Sequence, residues 1–330
     1  MIKNLLKNLH EPLVVNSFYL YLAYFADYIF SIIILPFIAR ILGPEELGQV
    51  ALAQMFGIII LIIIEFGFSL IATREVAKIK DDKKTLAKYI GEIYSFKILL
   101  IIISVILTIV FVTNFPIFFS RLDYVGFVLI GAILQGLVPN WFFQGIEQLK
   151  LLAISKIVFR LVGIIIILFF VKDNKDGWIV LMGYSITSGL IFIYLLMKMI
   201  QIVGKIKFSG IKKIKVIWVN SSWVFLLTII PVLYQSGLSI LLASFVSPLQ
   251  LGLYFGAAKI YRAFNSLYGP ISQAVYPRLV TSNELNVKKS KKLAYKLFWI
   301  LLSIGLLFCA LLIFFSHFFI QIILGFEFLD

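Results

Sequence analysis

The sequence predicts an all-α integral membrane protein with about nine transmembrane helices. Three observations carry that expectation. The 330 residues are 62% hydrophobic and only 14% charged, against roughly 25% charged in average soluble domains. The apolar residues fall into nine long runs, at 14–38, 50–72, 90–112, 124–144, 151–171, 178–198, 217–242, 250–275 and 295–318. The cations collect between alternate runs.

Each run is close to the ~20 residues that cross the hydrocarbon core as a helix. Barrel strands are excluded, because they need only ~10 residues and alternate in polarity. In lipid the backbone must satisfy its own hydrogen bonds, so runs of this length are helical. The polar, amphipathic start MIKNLLKNLHEPL precedes the first run, and no A-x-A-like cleavage site follows it. "GPEELG" at 43–48 and "SPLQLG" at 247–252 mark turns. Pro36, Pro139, Pro231, Pro270 and Pro277 lie inside or at the ends of runs, where they kink helices and free backbone groups. The longest connections are basic and about 17–20 residues long, which suits linkers or functional loops.

Sorting the 30 Lys and Arg sets the orientation. With the N-terminus inside, the inner connections hold Lys3, Lys7, Arg74, Lys78, Lys80, Lys83, Lys84, Lys88 and Lys150. They also hold six from Lys198 to Lys215 and six from Arg278 to Lys296. The outer ones hold only Arg40, Arg121, Lys172 and Lys175. This positive-inside bias predicts a cytoplasmic N-terminus in a multi-pass protein of the bacterial inner membrane. It also accounts for the net charge of +14 without nucleic acid. The basic connections suit anionic lipid heads.

A shift of 204 residues superimposes the chain on itself without a gap. Asn16, Ser17, Pro44, Leu47, Gly48 and Arg74 fall on Asn220, Ser221, Pro248, Leu251, Gly252 and Arg278. Six runs lie in one period, so the copies share one orientation in the membrane. Parallel repeats related by an axis along the membrane normal are a transporter architecture, with the path between the halves. The expected division is a first six-helix lobe, 1–204, and the first three helices of a second, 205–330.

Eight ionisable groups lie inside the runs: Asp27, Glu65, Glu92, Lys97, Lys156, Arg160, Lys259 and Arg262. All facing lipid, they would cost on the order of 20 kcal/mol, so most face each other, a wet cavity or the interface. Glu92 and Lys97 lie near a helix end and are placed to snorkel. Asp27 shares a face with Asn16 and Ser31, and Glu65 with Gln54 and Ser69. Lys259, Arg262, Asn265, Ser266, Gly269 and Gln273 form one polar stripe. Lys156 and Arg160 repel at i,i+4, which a structural salt bridge would not do. Five cations against three anions point to a water-filled, anion-attracting cavity. The rival reading is buried helix–helix salt bridges such as Asp27 with Arg262. An exporter of organic cations wants an acidic cavity, which argues against that use.

Other chemistry has little support. The single cysteine, Cys309, has no partner in the chain, and His10 and His317 have no Cys/His cluster beside them, so no metal or cofactor is expected. No G-x-x-x-x-G-K-[ST] loop is present to power the chain with ATP. A membrane enzyme of glycan assembly would need metal-binding carboxylates or a sizeable outer loop.

"LPFIARILGPEELGQVALAQ" at 35–54, "FGFSLIATREVAK" at 66–78, "NWFFQGIEQLK" at 140–150 and "YGPISQAVYPRLV" at 268–280 resemble the polysaccharide repeat-unit flippases of Wzx type. These belong to the multidrug/oligosaccharidyl-lipid/polysaccharide exporter superfamily. The closing "IQIILGFEFLD" resembles the family's link between its ninth and tenth helices. The family has twelve helices in two lobes of six, so the chain is expected to be a C-terminally truncated member. The resemblance implies transfer of undecaprenyl-diphosphate-linked oligosaccharide, for O-antigen or capsule, from the cytoplasmic to the outer leaflet by alternating access. It implies a cation-lined lumen, to which Lys97, Lys156, Arg160, Lys259 and Arg262 correspond. Asp27 and Glu65 are left for ion coupling or salt bridging. It implies membrane lipids, a polysaccharide polymerase and a chain-length regulator as partners, and no enzyme activity. The marker "WFFQG" at 141–145 is read as an interfacial turn with aromatic anchors.

Overall fold

A computed structural model describes residues 12–206, 214–265 and 287–329. Among these residues every regular element is helical. Six helices are long and apolar enough to cross a membrane, or seven if one bent pair counts as a span. The chain is therefore an all-α, multi-pass membrane protein.

The first two expected spans form one element, α1 (Pro12–Glu65), broken at Gly43. Gly43 adopts φ 70° and ψ 174°, a conformation open to glycine and strained for other residues. Pro44 follows it and opens the second arm, the first-turn position where proline costs no hydrogen bond. The expected "GPEELG" turn is thus a one-residue break inside a helix. Phe66 and Gly67, both at positive φ, separate α1 from α2 (Phe68–Ile79).

A short turn leads to α3 (Lys83–Asn114), so the basic connection after the second span is itself largely helical. Asp82 caps α3: its Oδ1 accepts from the backbone amides of Lys84 at 2.9 Å and Thr85 at 3.2 Å. Next come α4 (Pro116–Phe119), α5 (Leu122–Leu137) and α6 (Asn140–Gly145). The Val138–Pro139 step, where proline cannot continue the ladder, divides the fourth span into α5 and α6. Then follow α7 (Leu149–Phe170), α8 (Gly177–Val203) and α9 (Ile214–Val232). Pro231 sits in the last turn of α9, and a π-helical turn, Leu233–Gly237, leads to α10 (Leu238–Ala243).

The eighth expected span is described only as α11 (Pro248–Asn265). Its remainder, with Ser266, Gly269, Pro270 and Gln273, lies outside the described residues, as does Pro277 beyond it. The ninth is not one straight helix: α12 (Val287–Phe314) meets α13 (Ser316–Ile323) at a 78° bend.

The packing has two ends. At one end, Phe66, Phe68, Val76, Trp141, Phe142, Phe143 and Met199 form a buried cluster. "WFFQG" is therefore core, not surface anchoring: α6 packs against α2, and a Cβ on Gly145 would lie 2.5 Å from Val76. At the Gly43 end, Leu42, Leu47 and Val50 pack with Leu324 and Phe328, so the last described turn docks on the break. A third cluster joins the second arm of α1 to α10 and α11 through Phe56, Ile240, Leu251 and Phe255.

Candidate functional site

Four helices of the first expected lobe line an open cavity of about 380 Å³, within the range of small-molecule sites. The second arm of α1 contributes Gln54, Gly57, Ile58 and Leu61. α5 contributes Val128, Gly131, Ala132 and Gln135, and α8 contributes Leu181, Tyr184, Ser185 and Ser188. Each set repeats at three and four residues, so each helix presents one face. α7 contributes Arg160. Gln54 lies eleven residues from both Gly43 and Glu65. At 1.5 Å per residue that is about 16 Å from either end of the arm, so the cavity sits at mid-depth of a ~30 Å core.

Arg160 is half-buried, with its guanidinium over the Phe30 ring at 5.2 Å from the centroid. An aromatic face favours a partly desolvated cation. Ser188 donates to Gln135 Oε1 at 3.1 Å. That bond occupies the amide oxygen of Gln135 and leaves its NH₂ as a donor. Ser185 donates to the Phe127 carbonyl at 2.7 Å. No carboxylate appears among the described lining residues. The cavity therefore offers one cation, the amide groups of Gln54 and Gln135, and serine hydroxyl oxygens that can accept, which suits phosphate oxygens and sugar hydroxyls.

The other expected cations are dispersed. Lys156, one turn along α7, is 6% exposed and is not part of the lining. Lys97 does not snorkel to an interface. It is 1% exposed, and its Nζ donates to the Gly136 carbonyl near the carboxyl end of α5, where a cation is stabilised by the helix dipole. The Phe68 ring lies 5.5 Å from Lys97 Nζ, and Glu65 acts on it electrostatically. Glu65, half-buried, closes the second arm of α1. Lys259 and Arg262 are half-buried on α11 and are not part of this cavity. Asp27 lies in α1, but its side chain, and with it the Asp27–Arg262 pairing, lies outside the described residues.

Sequence reasoning missed Gln135, Tyr184, Ser185 and Ser188. Their signal was present: uncharged polar residues at helical spacing within apolar runs. It also missed a polar cluster at the Gly43 end. Arg121 bonds Glu46 at 3.0 and 3.2 Å and stacks on the Tyr124 ring at 3.6 Å. Tyr124 in turn donates to Glu46. Burial alone would lower the Arg121 pKa, but the bonded Glu46 carboxylate raises it above its ordinary value. From sequence Arg121 reads only as a charge of an outer connection.

The polysaccharide biosynthesis protein family matches residues 13–283 of the chain. A protein of Escherichia coli (strain K12) named "Putative O-antigen transporter" is 28% identical over 318 residues, covering 94% of this chain and 75% of its own length. A protein of Shigella dysenteriae with the same name is 29% identical over 305 residues, covering 89% and 74%. No solved structure matches the chain.

Proposed function

The chain belongs to the polysaccharide biosynthesis protein family, and on that premise we propose that it is a flippase for lipid-linked glycans. It moves undecaprenyl-diphosphate-linked oligosaccharide repeat units from the cytoplasmic to the outer leaflet by alternating access. The observation that carries the reading is Arg160, a cation at mid-depth in a cavity lined by Gln54, Gln135 and Ser188. The names of the two relatives support transport of surface polysaccharide.

A diphosphate bearing sugars cannot cross hydrocarbon unaided. The Arg160 guanidinium replaces water around phosphate oxygens, to which its planar fork is matched. The Gln54 and Gln135 amides and the serine hydroxyl oxygens replace water around the sugars. The polyprenyl tail stays in the bilayer between two lobes, 1–204 and 205–330, which rock against each other. Lys156, Lys259 and Arg262 are further contacts for the anion as the lobes move, and Asp27 and Glu65 are the candidates for ion coupling. The basic connections face the cytoplasm, and a polymerase and chain-length regulator receive the product outside.

Replacing Arg160 with Ala removes a charged hydrogen bond of about 1.5–3 kcal/mol. Export is therefore expected to fall about 10- to 100-fold, with finished lipid-linked units accumulating on the inner leaflet. Arg160→Lys, which keeps the charge and loses the fork, is expected to fall between. Undiminished export by Arg160→Ala sinks the cavity as the path. Accumulation of unfinished units points instead to an enzyme of glycan assembly, and altered drug susceptibility to a drug exporter.

A further inference from the structure

Helices α1 and α11 cross at two copies of one pattern, Pro44-x-x-x-Gly48 and Pro248-x-x-x-Gly252. A Cβ on Gly252 would overlap the Pro44 carbonyl oxygen. A Cβ on Gly48 would overlap the Pro248 carbonyl oxygen and lie 2.7 Å from the Gly252 nitrogen. Only glycine at both positions lets the two backbones touch. The partners are also reciprocal: 44 meets 252, and 48 meets 248. Both pairs are related by the 204-residue shift that superimposes the chain on itself. Contacts in which i meets j′ while j meets i′ are what a two-fold axis generates. The local axis therefore passes between Gly48 and Gly252.

We propose that this crossing is the reversible seal at the Gly43 end of the transport path, closed in this structure. The inference rests on the transport reading. Its placement follows from geometry. Gly48 lies six residues from Gln54, about 9 Å along α1 and turned about 120° around it, so in depth the crossing stands between the cavity and the Gly43 end. Its material suits a seal. Buried Leu47, Val50, Ala51, Leu251 and Phe255 flank the backbone contact. Such packing is strong at contact and loses a quarter to a half of its attraction over a gap of about 0.5–1 Å. Small residues are also what let membrane helices approach this closely. Because the axis runs through the contact, rotation of each repeat away from the other separates both halves of it at once.

Cys309 is the only cysteine, so Cys309→Ser gives a thiol-free chain in which Gln54→Cys reports access to the cavity. Labelling by a membrane-impermeant thiol reagent is compared in right-side-out and inverted vesicles. Gly252→Leu and Gly48→Leu hold the seal open, so labelling from the Gly43 side is expected to rise tenfold or more, with Gly252→Ala intermediate. Gly145→Ala is the control. Its Cβ would lie 2.5 Å from Val76 and 2.9 Å from the Thr73 carbonyl oxygen within the first repeat, so it strains packing away from both the crossing and the cavity, and labelling should not change. Unchanged labelling in folded Gly252→Leu protein overturns the seal. So does failure of both Gly252 variants to accumulate, since the crossing would then be a folding contact. The readout needs no substrate. If labelling responds but the unmodified chain moves no lipid-linked oligosaccharide, the transport reading falls and the opening crossing stands. If the chain transports and labelling does not respond, only the seal falls.

Discussion

Lys156 and Arg160 sit one helical turn apart on α7, yet meet different surroundings. Arg160 lines the cavity over Phe30, while Lys156 is sealed to 6% exposure. Lys97, read from sequence as a snorkelling end residue, is instead a built-in cap on α5. Replacing Lys97 with Met leaves the Gly136 carbonyl without its ammonium donor and Glu65 without a neighbouring cation. About 1–3 kcal/mol of stability should be lost, read as a lower unfolding temperature in detergent, and an unshifted temperature would remove the capping role. Residue chemistry was legible, since every intramembrane charge is visible in the chain. Its partners were not. The carbonyl that holds Lys97 lies 39 residues away, and nothing local to Lys97 names it.

Elements were legible where hydropathy alone decides them and misread where one backbone position decides. The second, third, fifth and sixth runs emerge as helical, but the turn between the first two shrinks to Gly43. Gly43→Ala must place a Cβ at φ 70° and 3.1 Å from Glu327 Oε2. A cost of about 1–3 kcal/mol is expected, because that backbone region is essentially closed to residues with a Cβ, and an unchanged unfolding temperature would show that the break relaxes. The α3 cap gives a pH test. The Thr85 hydroxyl, bonded to Asp82 Oδ2 at 2.6 Å, and then the Thr85 and Lys84 amides hold the Asp82 pKa below its ordinary value. A depressed folded value stabilises above the unfolded carboxylate pKa of about 3.9 and is lost as pH falls through the folded one. Hydrogen exchange at the Lys84 and Thr85 amides should therefore quicken on acidification beyond its ordinary pH dependence. Asp82→Asn, which still caps, should remove that extra acceleration.

At the scale of the molecule, the connections sort to two ends as the charge pattern requires. Gly43, Arg121 and Leu324 gather at one, and Val76, Gly145 and Met199 at the other. With Cys309→Ser as background, a cysteine at Lys175 should react with an impermeant reagent in intact cells, and one at Lys205 only after permeabilisation. The reverse pattern would overturn the cytoplasmic placement of the N-terminus. The reciprocal contact of Pro44 and Gly48 with Gly252 and Pro248 brings together two pairs of positions 204 residues apart, which spacing alone did not supply.

The chain by itself determined that this is a helical membrane protein and which connections share an end. Those properties are sums over local residues: apolar length against bilayer thickness, and cations against a charged surface. Only the tertiary structure decided which cation meets the cavity, which becomes a cap, and where two helices touch backbone to backbone. Those outcomes depend on what neighbouring helices present at the same depth. Phe30, Gln135 and the Gly136 carbonyl are brought there by packing, and no local sum contains them.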